Sequence, residues 1–424
     1  MTEKLLHFLW QFQYFNKEGL FTQKEEELTV LKPGQLNFNQ GPDFLEAVLQ
    51  IGPTKWVGNV EIHIKSSDWL KHNHSGDFNY SNVILHVVWM NDVDISDPHG
   101  NIIPTLELEN RVPKVLIERY IKLMLSPRIP CQHNSLPGLD DLGWMSWKER
   151  LVAERLERKA AKVLDHYENT NHHWEEVFWR MLASNFGMRV NAELFENIAL
   201  SIPITTLAKH KNQIHQLEAL LFGQANLLNE SFEEKYPILL QKEYQFLQKK
   251  YSLKSQPVKP MFLRMRPANL PTIRLAQLAM LIYKSSGLFA AIKEKKNIHD
   301  LIKLFDVTGN DYWSCHYMFD KETAFSPKVM GEEMINNIII NTVAPVLFAY
   351  GLYNKDEKYK EKAIEWLTQI KYENNTIIKS WKDLGQKSKT AFDSQAFLEL
   401  TNNYCEKKGC LDCAVGVKIL KGSR

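Results

Sequence analysis

The sequence has few cysteines, little net charge and no long uninterrupted apolar run. Five cysteines among 424 residues cannot form the disulfide framework of a small secreted protein. Lys and Arg number 52 against 50 Asp and Glu, so the chain as a whole is not the strongly basic type that coats nucleic acid. Apolar, charged and aromatic contents of 44%, 24% and 11% exclude disordered, collagen-like and coiled-coil classes. The length predicts two or three domains of roughly 150 residues each.

The sequence also lacks an obvious targeting or membrane-spanning segment. Glu3, Lys4 and His7 interrupt the stretch where a secretory signal needs apolar residues. The most apolar segment, residues 334–353, contains three asparagines and Pro345, which is poor for a lipid-exposed span of about 20 residues. We therefore expect a buried helix there, a cytoplasmic location and no membrane partner. The sequence does not indicate an oligomeric state.

Charge is distributed unevenly along the chain. Residues 1–110 hold seven basic and fifteen acidic side chains, a net charge of −8, so the remaining residues carry +10. Within that basic remainder, residues 249–274 contain seven Lys or Arg and no acid. Three arginines of this segment suit bidentate phosphate contacts and predict nucleic acid as a partner, with an ion-paired structural segment as the alternative. They are Arg264, Arg266 and Arg274.

Hydrophobic spacing predicts two kinds of structure along the chain. A helix is predicted at residues 3–16, followed by strands at 28–31, 44–51, 56–65, 83–89 and 102–108. Later helices are predicted at 147–165, 172–186, 191–201, 213–222, 232–251, 272–285, 331–350, 357–370 and 390–406. We therefore predict an α+β protein. A mixed-sheet domain occupies residues 1–130, and a large all-α domain with a C-terminal cysteine cluster occupies residues 131–424.

A group of ionisable side chains falls on one predicted strand. Alternation places Glu61, His63 and Lys65 on the same face. Asp43 opens the preceding strand, and a hairpin of this length returns Glu61 close to it. Two carboxylates beside a cation predict a Mg²⁺ or Mn²⁺ site, where the cationic side chain orients or activates the attacking water. The alternative is the solvated polar face of an antiparallel sheet, which has the same alternation.

Histidines follow this strand, at His72, His74 and His86, with Asp77 among them. The His-x-His spacing suits a transition metal such as Zn or Fe. A polar loop with solvated histidines is the interpretation that we favour. His86 lies within the apolar run 83–89, so we expect it to be buried with a hydrogen-bond partner.

Three of the five cysteines form a C-x4-C-x2-C pattern near the end of the sequence. They are Cys405, Cys410 and Cys413. Closed structural metal sites usually have four protein ligands. We predict Cys131 as the fourth, with Cys315 or His316 as rival donors. Spacing does not separate Zn²⁺ from an iron–sulfur cluster, and unliganded reduced thiols are the alternative.

The group of ionisable residues on these predicted strands resembles the site of the restriction-endonuclease-like nucleases. Their pattern is Pro-Asp, a spacer and acid-x-Lys on the next strand, within a core of one helix, three strands, a helix and a strand. Pro42-Asp43, Glu61 and the element order match this pattern. The family's lysine position holds His63, and Lys65 lies one pleat further on. The resemblance implies that Asp43 and Glu61 hold Mg²⁺ while Lys65 or His63 aids the attacking water.

Over nearly its whole length the chain is also similar to a bacterial family of unknown function, DUF2851. The strings that carry this similarity are GPDFLEA, GNVEIHIKSSDW, NVILHVVW, RLVAERLERK, EALLFGQANLL, RMRPANLPTIRLAQLA, INTVAPVLFAYG and YCEKKGCLDCAVG. This similarity implies no activity. It implies that the ionisable residues of the predicted strands and the cysteine cluster belong to one intact protein.

Three functions are compatible with these patterns. The first is a metal-dependent nuclease whose acidic N-terminal site cuts nucleic acid held by the basic helical part. The second is a non-catalytic nucleic-acid or protein adaptor with a degenerate nuclease fold and a structural metal, which His63 at the lysine position favours. The third is a histidine-rich β-domain that binds a small ligand.

Overall fold

The structure, a computed structural model, describes residues 1–97, 99–126, 128–133, 139–254, 258–262, 269–285 and 287–422. The chain forms two compact units. The first unit consists of Met1–Asp141 together with Thr401–Arg424, and the second is Leu142–Leu400. The predicted α+β class is confirmed, with a mixed sheet in the first unit and helices in the second.

The strands are β1 (Leu28–Lys32), β2 (Gln35–Leu36), β3 (Phe44–Ile51), β4 (Thr54–Lys65), β5 (Val83–Met90), β6 (Thr105–Glu107), β7 (His316–Met318) and β8 (Lys321–Glu322). The helices are α1 (Glu3–Gln11), α2 (Asp68–Lys71), α3 (Lys114–Leu125), α4 (Asp141–Glu168), α5 (Trp174–Phe186), α6 (Met188–Ser201), α7 (Ile204–Lys209), α8 (Ile214–Gln224), α9 (Lys235–Tyr251), α10 (Pro271–Lys284), α11 (Leu288–Glu294), α12 (Ile298–Leu304), α13 (Asp311–Ser314), α14 (Glu332–Ile338), α15 (Ala344–Asn354), α16 (Glu357–Gln369), α17 (Thr376–Asp383), α18 (Ala391–Glu399) and α19 (Ala414–Lys421).

The first unit is built around a six-stranded mixed sheet with strand order β1-β3-β4-β5-β6, in which β2 also pairs with β3. β3 pairs antiparallel with β1 and β4, whereas β5 pairs parallel with β4 and β6. The crossover from β4 to β5 contains α2 and two short 3-10 turns, His74–Gly76 and Phe78–Tyr80. Trp69 and Tyr80 of this crossover pack into an apolar cluster with Val83, Ile95 and Ile103. The crossover therefore covers the sheet beside β4.

The predicted strands and helices are present, with shifted ends. α1 stops at Gln11 rather than residue 16, because Gln13 adopts a left-handed backbone with φ 55°. The strand predicted at residues 102–108 is shorter in the structure, where it is β6. The helix that the element order placed between the third strand and the buried strand is present as α2. Short helices such as α7 were not predicted, since a stretch of six residues shows too little periodicity.

The second unit contains two helices that are apolar nearly all round. In α10 eleven residues are buried, and α14 continues through a π-helical turn (Ile339–Val343) into α15. Residues 332–354 have the length and apolarity of a membrane span, but 72% of their most apolar window is buried inside the unit. Packing against neighbouring helices accounts for that apolarity, as expected for the predicted buried helix.

The unit boundary differs from the predicted division at residues 130 and 131. Residues 131–141 and 401–424 belong to the first unit, so the cysteine cluster lies with the sheet and not with the helical unit. α19 packs against α3, and Arg119 of α3 donates a hydrogen bond to the carbonyl of Leu420. A contact between residues about 300 positions apart leaves no local periodicity in the sequence, which is why the division at 130 missed it.

We predict that Gly58→Ala destabilises the sheet. A Cβ on Gly58 would lie 2.7 Å from the backbone oxygen of Asn82 and 2.5 Å from a methyl of Ile84. The Asn82 oxygen cannot retreat freely, because it accepts the hydrogen bond of Asn59 at the start of the β4–β5 pairing. We expect a loss of about 1–3 kcal/mol in the free energy of unfolding, the usual cost of overpacking.

Urea unfolding followed by circular dichroism measures this loss. Gly331→Ala is the matched control, since a Cβ there meets nothing within 4 Å and Gly331 has an ordinary φ of −71°. Equal midpoints for the two variants would contradict the close approach of β4 and β5 at Gly58.

Candidate metal centre

β4 carries the candidate centre because its two neighbours bring other ionisable residues beside it. The antiparallel register pairs Phe44 with Val60, which places Asp43 opposite Glu61. The parallel register pairs Glu61 with His86 of β5. Residues that are paired across a sheet point to the same face, so these side chains converge.

The two acidic residues are joined by crossed hydrogen bonds. The backbone N–H of Asp43 donates to Oε2 of Glu61 at 3.0 Å, and the N–H of Ile62 donates to Oδ2 of Asp43 at 3.0 Å. Nε2 of His7, from α1, lies 3.1 Å from the same Asp43 oxygen. The structure therefore brings together Asp43 and Glu61, as the hairpin prediction required, and adds His7.

A bulge in β3 shapes the backbone beside Asp43. The β3–β4 register shifts between Phe44 and Ala47, where Glu46 has a left-handed φ of 56°. On the other side, Asn37 donates from its backbone to the Asp43 carbonyl and from its side chain to the Pro42 carbonyl. Bulges commonly re-aim side chains next to functional sites. Here the bulge and the Asn37 contacts fix the start of β3.

Two histidines lie next to Glu61, and a third lies against one of them. Nε2 of His63 lies 3.1 Å from Nδ1 of His72, and Oε1 of Glu61 lies 3.7 Å from Nε2 of His63. Nε2 of His74 lies 3.4 Å from the same glutamate oxygen. The three histidines offer nitrogens that all lie within 4.8 Å of one another. Ligands about 2.0–2.2 Å from one ion are separated by such distances, so this group is able to hold a transition metal.

His86, on the neighbouring strand β5, contacts His63 of the cluster. Its side chain is fully buried, and its Nε2 lies 2.8 Å from Nδ1 of His63. The predicted burial and hydrogen-bond partner of His86 are therefore confirmed. If Nε2 of His63 binds a metal, its Nδ1 must carry the proton and donate it to His86. A second residue that fixes the tautomer of a metal-binding histidine is the usual arrangement.

Burial suppresses charge throughout the cluster. Burial, and next the charge of Asp43, raise the pKa of Glu61 to about 9. Burial, and next the neighbouring His74 and His72, lower the pKa of His63 to about 4. The pKa of His86 is also lowered, first by burial and then by His63. At neutral pH these imidazoles are neutral and have free lone pairs, which is the form that binds metals.

Of the two loop histidines, only His72 is solvated as we had favoured. His74 is buried and stacks on Tyr80 with ring centroids 3.8 Å apart, whereas His72 is exposed. The crossover places His74 beside Glu61 and His72 beside His63, because α2 and the 3-10 turns fold back over β4. Their spacing was a usable signal, but only the packing of Trp69 and Tyr80 decides where the loop lies. His7 carried no motif that would have identified it.

Other predicted site residues lie elsewhere. Lys65 is exposed at the end of β4, and its backbone N–H donates to Asp68. Arg274 is buried, donates to Gln277 and Asn269, and has its pKa lowered by burial to about 10. It therefore has little surface for nucleic acid. The other two arginines of that segment, Arg264 and Arg266, lie outside the described residues.

The comparisons with known proteins identify a family but no activity. The family described as "Protein of unknown function (DUF2851)" matches residues 3–376. No curated protein and no solved structure matches the chain.

We predict that Glu61 makes the metal-free protein less stable as pH rises. Unfolded Glu61 ionises near its ordinary pKa of 4.5, whereas the folded chain holds the proton until about pH 9. The folded state binds more protons over this range, so the free energy of unfolding falls with pH, by at most about 1.4 kcal/mol per pH unit. Between pH 7 and 9 this fall should be smaller in Glu61→Gln.

Urea unfolding with a chelator at several pH values measures this slope. Glu109→Gln is the matched control, because Glu109 is exposed. If Glu61→Gln and the unmodified protein lose stability in parallel between pH 7 and 9, the prediction that the buried Glu61 carboxyl is protonated is wrong.

Proposed function

Because the chain belongs to the DUF2851 family, whose description assigns no activity, we propose a function from the site itself. We propose that the protein is a metal-dependent nuclease that hydrolyses phosphodiester bonds at Asp43, Glu61 and the adjoining histidines. The observation that carries this proposal is the convergence of two cross-bonded acidic residues and three metal-spaced histidines around one strand.

The order of elements around the site supports a restriction-endonuclease-like core. α1 precedes β1, β3 and β4, which pair antiparallel in sequence order, and a helical crossover leads to the parallel strand β5. Asp43 lies at the start of the second of these three strands and Glu61 within the third. These are the positions of the acidic residues in the pattern that the sequence resembles.

The donor set favours a metal that accepts both oxygen and nitrogen. Imidazole suits Zn, Fe and Ni, whereas Mg²⁺ prefers carboxylate, carbonyl and water. Of the two predicted ions, the histidines favour Mn²⁺ over Mg²⁺. A bound divalent ion would lower the pKa of its water and polarise a phosphoryl oxygen.

The chain's own residues have distinct roles in this proposal. His7 and Asp43 are each about a quarter exposed and face one another, so they can exchange a proton with solvent or a leaving group. Lys65 is exposed at the end of the strand, where it would attract a phosphate rather than activate water. The sequence around the site is acidic, so binding of a polyanion depends on the basic remainder of the chain.

A non-catalytic adaptor is the second candidate function. The position that holds lysine in the nuclease pattern holds His63, whose side chain is 2% exposed and neutral at physiological pH. A site without that cation has lost one means of stabilising the developing phosphoryl charge. In this alternative the same residues bind a metal that has only a structural role.

We predict that Asp43→Asn and Glu61→Gln each abolish Mn²⁺-dependent hydrolysis. Mn²⁺ titration by calorimetry and cleavage of fluorescent single-stranded DNA, duplex DNA and RNA measure the two steps. Glu61→Gln should weaken Mn²⁺ binding at least tenfold, because it removes an anionic ligand. Glu109→Gln should bind Mn²⁺ and cleave like the unmodified protein.

The outcomes separate the two candidates. Mn²⁺ binding that depends on Glu61, with no cleavage of any substrate, would favour the adaptor. Equal Mn²⁺ binding by Glu61→Gln and the unmodified protein would contradict the metal centre on which both candidate functions depend.

We also predict that His86 positions the ligand His63. His86→Leu removes the acceptor of the His63 Nδ1 proton and should weaken Mn²⁺ affinity 10–100-fold, the usual effect of such a change. His86→Gln keeps an acceptor on a side chain of similar length and should restore part of the affinity. Loss of affinity in both variants to the same extent would mean that His86 acts only through packing.

A further inference from the structure

Four of the five cysteines lie in the first unit, although they come from two distant parts of the chain. Cys131 follows α3 in a 3-10 turn, Pro130–His133, and the other three lie between residue 405 and α19. All four side chains are buried, with 5–7% exposure, and all are free thiols. The fifth, Cys315, is in the second unit. Of the donors that the sequence left open, Cys131 therefore belongs to the same unit as the other three cysteines, whereas Cys315 and His316 belong to the second unit.

Several contacts fasten the C-terminal cysteine segment beside Cys131. Arg128 pairs with Glu406 at 3.0 Å, and the Lys408 side chain donates to the carbonyl of Ser126. Within the segment, α19 packs closely on Cys410, since a Cβ on Gly416 would overlap the Cys410 carbonyl at 2.1 Å. Residues on both sides of the group are thus held independently of the sulfurs.

The 3-10 turn that holds Cys131 contacts α19, which begins directly after Cys413. Burial raises the pKa of Cys131 to about 12, and negative charge on Cys413 and Cys410 adds to it. Burial raises the pKa of Cys405 far above its usual range, and all three other cysteines contribute. Four buried thiols that repel one another's thiolates need a cation if they are to ionise.

Neighbouring donors oppose the effect of burial on the pKa at two of these positions. The backbone N–H groups of Gly416 and Val415 donate to the Cys413 sulfur, at the first turn of α19. Burial, and next Cys413, raise the pKa of Cys410 to about 12, and the Lys408 charge opposes this rise. Hydrogen bonds to ligand sulfurs are typical of metal–thiolate sites, where they tune and orient the ligands.

We propose that Cys131, Cys405, Cys410 and Cys413 form a tetrathiolate metal site. It holds one thiophilic centre and fastens residues 401–424 to the sheet unit. The centre is an iron–sulfur cluster, or a Zn²⁺ ion that draws the sulfurs closer together, because the group with ligand atoms within 4.8 Å among the described residues is that of the three histidines. Metal binding deprotonates the four thiols and releases the protons to solvent, so no oxidant or reductant is needed for Zn²⁺. The site is independent of the proposed nuclease centre, because it shares no residue with it.

Metal analysis of the full chain, purified without oxygen, tests this site. We expect one Zn²⁺ per chain, or iron with acid-labile sulfide and visible absorption, and either result supports the tetrathiolate. X-ray absorption at the metal edge should show four sulfur neighbours at ~2.3 Å. A first shell of nitrogen or oxygen, no bound metal, or disulfides among the four cysteines would overturn the proposal.

Two variants separate this site from the histidine centre. Cys131→Ser should lower the thiol-bound metal at least tenfold and leave Mn²⁺ binding at Glu61 intact, whereas Glu61→Gln should do the reverse. Cys315→Ser is the matched control and should keep the full metal content. If Cys315→Ser lost metal as Cys131→Ser does, the fourth ligand would be assigned wrongly. Should Cys131→Ser fail to fold, the absorption measurement on the unmodified chain still decides.

Discussion

The double pairing of β4 is the constraint on which the candidate centre depends. β4 bonds antiparallel to β3 on one edge and parallel to β5 on the other, and its residues 60–63 are all buried. A slip of one residue in either pairing would turn Glu61 and His63 to the opposite face. The bulge at Glu46 and the close approach at Gly58 both belong to these pairings. The chemistry of the site is therefore fixed by backbone hydrogen bonds before any ion is bound.

The site combines buried groups that stay uncharged on their own. A protonated Glu61 beside neutral His63 and His86 avoids the cost of burying isolated charges. The same burial makes the group responsive to a cation, since a nearby positive charge favours the ionised carboxylate. Asp43, at the more exposed edge, is partnered by His7 and by the Ile62 amide. The centre thus has a buried side, with Glu61 and His63, and a partly solvent-exposed side, with Asp43 and His7.

Sequence patterns predicted the elements better than their assembly. Strand alternation placed Glu61 and His63 on one face, and the hairpin length placed Asp43 beside Glu61, because both depend on neighbours in sequence. The positions of His7, His72 and His74 depend on how α1 and the crossover pack on the sheet, which no local period encodes. The cysteine spacing predicted a distant fourth ligand, and the structure places Cys131 in the same unit as the other three cysteines. Nothing local indicated that residues 401–424 return to the first unit.

That return affects the order in which the protein can be completed during synthesis. The first unit is interrupted in sequence by the whole of the second, residues 142–400. At 5–20 residues per second, a ribosome needs on the order of ten to fifty seconds to make that insertion. Throughout this interval α3 lacks its packing partner α19, and the three C-terminal cysteines of the first unit have not been made. The sheet unit can therefore be completed only after the whole helical unit and the last 24 residues have been made.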